Sequence, residues 1–572
     1  MPTTHDGFAA VALHVCRAVF LLAAVGCFGA RTLIAQTSRD VTIRVDAARE
    51  IGELRPIWRF FGADEPNYAY MKDGRRLLTE LGALRPHDVY FRAHNLLTSG
   101  DGTPALKWGS TNAYTEDAAG RPIYDWTTID RIFDTYLARG VRPYVQLGFM
   151  PKALSTRPEP YQHEWRPGSG ELFTGWAYPP KDYGKWGELV YQLTQHCIAK
   201  YGVDEVEGWY WETWNEPNIG YWKGTRDEFF RLHDITLAAV RRALPQARTV
   251  GPHMAGADAQ WLTAYLDHVF RSSGVAGQPI AEQPNILSFH PKGSPTTIDG
   301  HVRMGIATQL QVTDRNFATI ASYPEAKRLP IILGESDPEG CAACQGPALD
   351  YRNGTMYSSY TAASMARIQD LAIKHGLVLD GAVTWAFEFE DQSYFPGFRV
   401  LASNGIDHPV LNVFRMMSRM PGRRLSVEST GALSLEDVVA HGVRKEADVS
   451  AIASRGDSRI AVLAWHYHDD DVPGPVANVQ LVVDGVPPGV SAVIVTHYRI
   501  DDTHSNAFAA WKRMGSPVAP NNAQYAALQS AGGLAELAPA SRMPVTNGVL
   551  TLAFALPRQG VSLVMLEWAS TR

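Results

Sequence analysis

Cysteine is scarce in this chain, five in 572 residues, which excludes the disulfide-dense framework of a small secreted domain. A basic block is also missing: 53 Lys and Arg are mixed with 59 Asp and Glu, for a formal net charge of −6. Nucleic-acid binding, which leaves a clustered positive footprint, therefore finds no support. Beyond the first 30 residues no apolar run is long enough to cross a bilayer. No nucleotide-binding glycine loop follows a first strand and no constellation of metal ligands stands out, so neither a cofactor nor a metal is expected.

What is present is the composition of a folded protein, 45% hydrophobic and 20% charged, at a length that calls for more than one domain. Fifteen Trp and 23 Tyr supply flat amphipathic rings that suit the apolar faces of sugars, although such rings also fill ordinary cores. The run from Ala18 to Ala30, preceded by Arg17, reads as a signal peptide cleaved near Ala30 or Ala35. The expectation is an exported protein, periplasmic or secreted, with a lipoprotein anchored through Cys27 as the alternative. Cys16 and Cys27 leave with the leader. Of the remainder, Cys341 and Cys344 are read as a local disulfide rather than as a zinc or redox pair, and Cys197 as a packing residue.

Between residues 56 and 420 short apolar runs alternate with amphipathic segments, the pattern of a βα repeat. Eight strands are predicted: Trp58–Gly62, Val89–His94, Arg142–Gly148, Gly208–Trp214, Arg248–Pro252, Ile286–His290, Pro330–Glu335 and Ala382–Phe389. Helices are clearest at Trp126–Arg139, Glu228–Ala243 and Tyr357–His375. Eight such units indicate a (β/α)₈ TIM barrel, whose chemistry belongs at the C-terminal strand ends. From residue 421 to 572 the texture changes to alternating runs such as Ile460–Trp465, Val479–Val483, Ser491–Tyr498 and Val549–Phe554, which predict an antiparallel β-sandwich. Residues 36–55 follow a leader of residues 1–35, and their alternating run Val41–Val45 is expected to add a strand to that sandwich. Arg499–Gly533, carrying Asp501, Asp502, His504 and Trp511, interrupts the sandwich as a binding loop, an inter-domain contact or a plain surface excursion.

Two strand-end carboxylates command attention. Glu216 ends the fourth strand in Trp211-Glu-Thr-Trp-Asn-Glu-Pro-Asn218, and Glu335 ends the seventh in Pro330-Ile-Ile-Leu-Gly-Glu335. Glycosidic hydrolysis needs one carboxyl group to protonate the leaving oxygen and a second to attack or stabilise the anomeric carbon. Glu212 and Glu339 compete for these roles but lie off the expected strand-end positions.

These residues resemble the large clan of retaining (β/α)₈ glycosidases, and within it the chain is similar to glycoside hydrolase family 39, the β-xylosidases and α-L-iduronidases. The supporting segments are Val145-Gln-Leu-Gly-Phe-Met-Pro-Lys152, Trp214-Asn-Glu-Pro-Asn218, Gly397–Val413, and Tyr498–Asp502 through Ser505 and Asn506 to Trp511–Pro517. The resemblance implies Glu216 as general acid/base, Glu335 as nucleophile, Asn215 on the sugar 2-hydroxyl and Arg92 orienting Glu335. Charge reasoning adds that an ionised Glu335 would hold the proton on Glu216.

For the sugar, the sequence pulls two ways. Trp385-Ala-Phe-Glu-Phe-Glu-Asp391 resembles the xylosidase side, with Glu388 and Glu390 as acceptors for neutral hydroxyls and Trp385 as a stacking floor. His290-Pro-Lys-Gly293 and Glu335-Ser-Asp-Pro338 resemble the iduronidase side, where Lys292 would meet a substrate carboxylate unless it is an internal ion-pair partner. His94 and His290 either bind sugar hydroxyls or are satisfied core residues. A β-D-xyloside is the expected substrate, cleaved from the non-reducing end; α-L-arabinopyranosides and α-L-iduronides are the alternatives. Long loops after strands three and seven, Pro151–Asp182 and Ser336–Thr355, favour a closed exo pocket over an endo-acting cleft. A carbohydrate-binding protein without catalysis would have lost one of the two carboxylates.

Overall fold

The computed structural model describes residues 38–163, 172–173, 175–271, 281–385 and 387–569. The expected leader, with Cys16 and Cys27, lies outside them, as does part of the loop after the third barrel strand. Eight parallel strands close into a barrel: Phe60–Ala63, Val89–Ala93, Val141–Leu147, Tyr210–Thr213, Arg248–Ala255, Ile286–His290, Pro330–Leu333 and Val378–Trp385. The last pairs with the first, so no edge is left. Their short apolar runs are buried on both faces, as parallel strands inside a ring of helices must be.

The eighth strand differs from its predicted range, starting at Val378 and ending at Trp385. The alternation Trp385, Phe387, Phe389 imitates a strand. The first strand, however, ends at Ala63, and Trp385 pairs with Gly62 as the last rung. Phe387 instead packs against Phe91 at 4.9 Å and Phe389 against Phe398 at 5.1 Å. The fifth strand runs past its predicted end to Ala255, with a register shift between Pro252 and Met254.

Period two along each strand then orders the barrel interior. A floor of Phe60, Tyr90, Tyr144, Tyr210, Val250, Ile286, Ile332 and Val383 is apolar and buried. Two residues on, the same face carries Gly62, Arg92, Gln146, Glu212, Ser288, Gly334 and Trp385, a polar layer directly beneath the mouth. The surrounding helices are amphipathic and capped. Arg226–Ala243, for example, begins with a reciprocal box in which Thr225 Oγ1 accepts from the Glu228 N–H and the Glu228 carboxylate accepts from the Thr225 N–H at 2.7 Å.

Nine further strands form one sheet in the order Ala535–Pro544, Ala492–Ile500, Val561–Glu567, Arg459–Tyr467, Asp448–Arg455, Arg423–Ser429, Ser38–Glu53, Val476–Asp484 and Leu550–Leu556. All neighbours are antiparallel except Ser38–Glu53 with Val476–Asp484. Val493 and Val495, near one end of this order, share a core with Val479, Leu481 and Leu550, at the other. The sheet is therefore folded over itself as a sandwich. Against the barrel helix Thr355–His375 it places Gln559 on Ser359 (2.6 Å) and Asp448 on Arg367 (2.9 Å). The excursion within Arg499–Gly533 forms helices Ala507–Arg513 and Asn522–Gly532. It docks on the segment after the eighth barrel strand: Phe508 and Trp511 pack on Phe395, and Tyr525 donates to the Asn404 carbonyl at 2.9 Å.

Candidate active site

Glu216 reaches the mouth through an unusual backbone. Past Thr213 the chain leaves the fourth strand with Trp214 at φ +66° and Glu216 at φ +45°, left-handed conformations that are uncommon outside glycine. Surrounding contacts hold this reversal: the Glu216 N–H donates to the His253 carbonyl (3.0 Å), and the Trp214 indole N–H donates to the Tyr221 carbonyl (3.0 Å). His253 is itself left-handed, at the register shift of the fifth strand. The bulge thereby aims its imidazole at Glu212, 3.0 Å away.

Arg92 is the hub of the polar layer and is fully buried. Its guanidinium bonds Glu212 through Nε at 2.7 Å, donates to Asn215 Oδ1 at 2.8 Å, and donates to Glu335 Oε1 at 3.1 Å. Five fixed donors on a planar fork allow one side chain to set three acceptors at once. Asn215 Nδ2 is buried and has no hydrogen-bond partner among the described residues. His94 Nε2 stands 3.1 Å from Arg92 Nη1 and 3.6 Å from Glu335. Because Arg92 can only donate, Nε2 accepts and the neutral ring carries its proton on Nδ1, which is 2.7 Å from Asp64. Trp385 lies against both, its ring 4.3 Å from that of His94 and 4.9 Å from the Arg92 guanidinium.

Glu335 and Glu216 face each other here. One carboxylate oxygen of each, together with a ring nitrogen of His290, lies within 4.8 Å of the others, and His290 Nδ1 is 3.0 Å from Glu216 Oε1. Glu212 is occupied by Arg92 and His253. Glu339 is held by Arg352 and Arg399 at 3.1 Å each and by the Tyr351 hydroxyl at 2.6 Å. Neither competitor joins the pair.

The two carboxyl groups are pushed in opposite directions. Burial alone would raise Glu335, but the Lys292 ammonium and the Arg92 guanidinium outweigh it and hold the group well below the ordinary carboxylate range. Burial and the negative charge of Glu335 raise Glu216 to about 7. His94 and His290 are driven down to about 3, chiefly by burial, and stay neutral. Glu212, buried yet paired with Arg92 and His253, falls to about 2 and remains a fixed anion.

Lys292 bridges Glu335 and Asp337, 2.6 Å from each. Asp337 is further anchored by Arg399 (2.9 Å) and by the Trp385 N–H (2.9 Å). Glu388 and Glu390 are placed elsewhere, which corrects their expected role on the sugar. Glu388 is fully buried, accepts the Gly405 N–H at 2.6 Å and lies 3.8 Å from Arg76. Glu390 accepts the N–H groups of Asp73 and Gly74 at the start of helix Lys72–Leu84, an anion at a positive helix end. Both lie past the true end of the eighth strand, where alternation no longer aims a side chain into the barrel.

Sequence reasoning missed Asp64, Glu65, Lys107 and His253. Asp64 and Glu65 directly follow the first strand, so the strand-end rule could have found them; Lys107 sits in an irregular loop that carries no periodic signal. Among the described residues, Glu216, His290 and Glu335 form the one group of three that could hold a metal. The Lys292 ammonium and Arg92 guanidinium already neutralise Glu335 there, and a divalent cation would meet their repulsion. In the loop after the seventh strand Cys341 and Cys344 form a disulfide, and Cys197 is buried in helix Tyr183–Tyr201.

Residues 41–544 match the family model described as glycosyl hydrolases family 39. A β-xylosidase of Geobacillus stearothermophilus is 26% identical over 490 residues, 84% of this chain and 86% of its own length. An α-L-iduronidase of Mus musculus is 24% identical over 562 residues, 91% of this chain and 80% of that one. Among solved structures, a monomeric β-xylosidase from Caulobacter crescentus CB15 shares the fold with a TM-score of 0.72 at 22% identity, covering 92% of this chain and 99% of that chain.

Proposed function

The chain belongs to glycosyl hydrolase family 39, and from that membership we propose that Glu216 and Glu335 cleave a glycosidic bond by double displacement with retention at the anomeric carbon. The observation that carries this reading is a pair of facing carboxyl groups with oxygens within 4.8 Å and opposite proton affinities. Retaining enzymes set this separation at about 5–5.5 Å, whereas inverting ones need about 6.5–9.5 Å to admit a water. Glu335, ionised, attacks the anomeric carbon while Glu216 gives its proton to the leaving oxygen. Formation of the glycosyl ester removes the charge that held that proton, so Glu216 becomes the base for the incoming water. Asn215 Nδ2 donates to the 2-hydroxyl, and Arg92 keeps Glu335 and Asn215 in register.

The substrate of this reading is a β-D-xyloside cleaved from its non-reducing end, in line with the β-xylosidase relatives. A second reading, an α-L-iduronide, is in line with the α-L-iduronidase relatives and with the displacement of Glu388 and Glu390 from the site. A panel of aryl glycosides bearing xylose, arabinopyranose and iduronic acid, with a polysaccharide control, separates these. Glu335→Ala should abolish turnover, and azide should restore it as a glycosyl azide of inverted configuration. Full activity in that variant, or release of internal oligosaccharides from the polymer, would overturn the proposal.

A further inference from the structure

We propose that a second charged pair, Asp64 and Lys107, binds the edge of the sugar ring remote from the cleaved bond, holding two neighbouring hydroxyls and closing that side to longer chains. This rests on the glycosidase reading of Glu216 and Glu335. Asp64 ends the first barrel strand and is 3% exposed; Lys107, from the loop after the second strand, is 7% exposed. The Lys107 ammonium bonds Asp64 Oδ2, while Asp64 Oδ1 is 2.7 Å from His94 Nδ1. Trp385 Nε1 approaches the same carboxylate at 3.5 Å.

Asp64 and Glu335 therefore flank His94 on opposite ring nitrogens, with the Trp385 ring tilted against that imidazole. A pyranose lying on Trp385 with its anomeric carbon at Glu335 turns its 3- and 4-hydroxyls toward Asp64. Capacity remains on both partners. An ammonium has three donors, and Asp64 is the one acceptor bonded to Lys107 Nζ among the described residues. Neighbouring hydroxyls, each able to donate to a carboxylate and accept from an ammonium, match such a pair. Glu388 and Glu390, the acidic groups expected to take these hydroxyls, are engaged with backbone N–H groups instead.

The loop bearing Lys107 is fixed in place, as a specificity wall must be. Glu65 accepts the Lys107 N–H at 2.6 Å, and Asn67 exchanges two hydrogen bonds of 2.9 Å with the Ser110 backbone. Asn95 Nδ2 donates to the Asp64 carbonyl at 2.8 Å. One strand end thus clamps the loop at the lysine itself and three residues beyond it.

The test compares kcat/KM on the best aryl glycoside of the panel with that on its 3-deoxy and 4-deoxy analogues. The unaltered protein should lose about 10- to 100-fold on at least one analogue, as hydrogen bonds to charged groups imply. Lys107→Met should lower kcat/KM on the parent glycoside and shrink that preference to within about threefold. Lys107→Gln, which keeps a neutral donor, should fall between and serves as the second variant if the first does not fold. A deoxy preference unchanged in a folded lysine variant overturns the proposal, because a merely structural role would slow both substrates equally. Absence of turnover on the whole panel by the unaltered protein instead overturns the glycosidase reading.

Discussion

At Glu216 and Glu335 the same desolvation acts on two identical side chains, and their neighbours alone send them apart. Lys292 and Arg92 stand against Glu335, whereas Glu216 has a neutral histidine at 3.0 Å and an anion beyond it. In the proposed double displacement the working form has Glu335 ionised and Glu216 protonated. Activity is therefore lost as pH rises through the raised value of Glu216, about 7, and on the acid side only below the depressed value of Glu335. The plateau of kcat/KM should lie on the acid side of neutrality, with its basic limb set by Glu216. Glu335→Gln removes the repelling charge, so the Glu216 carboxyl should titrate at lower pH than in the unaltered protein. Carbon-13 NMR of labelled glutamate reads this directly; an unchanged or raised value would show that Glu335 does not hold the proton.

Among the elements, the end of the seventh strand carries a tight constraint. A Cβ at Gly334 would come within 2.6 Å of both His253 Nδ1 and His290 Nε2 and 2.8 Å from Ser288 Oγ, three buried groups with no room to withdraw. Gly334→Ala should cost about 1–3 kcal/mol in overpacking and, by displacing His290 and the adjacent Glu335, lower kcat at least tenfold. A variant with native kcat would show that the three side chains can give way. Gly334 was legible only as part of an apolar run, because its importance comes from strands five and six crowding the same layer. The same distinction runs through the whole site. Strand-end position and residue type placed Arg92, His94, Asn215, Glu216, His290, Lys292 and Glu335 in one cluster. Glu388 and Glu390 misled because Trp385, Phe387 and Phe389 continue an alternation past the last hydrogen-bonded rung at Gly62. His253 was hidden by a bulge, and Lys107 by a loop whose course depends on Glu65 and Asn67.

For the whole molecule, barrel and sheet are joined by buried charge rather than by a polar rim. Asp448 accepts from Arg367 (2.9 Å), from the Trp465 indole (3.0 Å) and from the Leu433 N–H (2.9 Å), and is 1% exposed. Arg367 belongs to barrel helix Thr355–His375, and Asp448 and Trp465 to the sheet. A second buried bond, Ser359 to Gln559, crosses the same junction. Ser38–Glu53 ties the sheet to the chain's other end: it sits between Arg423–Ser429 and Val476–Asp484 and runs directly into the first barrel strand. Neither unit can open without exposing charges that the other satisfies. The protein should therefore unfold in a single calorimetric transition. Asp448→Ala leaves the buried Arg367 guanidinium only Asp370, 3.9 Å away, as a counter-charge, a loss of about 3 kcal/mol, and should lower that one transition while glycosidase activity disappears at the same reduced temperature. Two resolved transitions, with activity lost only at the unshifted one, would mean that the barrel stands alone and that the sheet is an appendage rather than part of its fold.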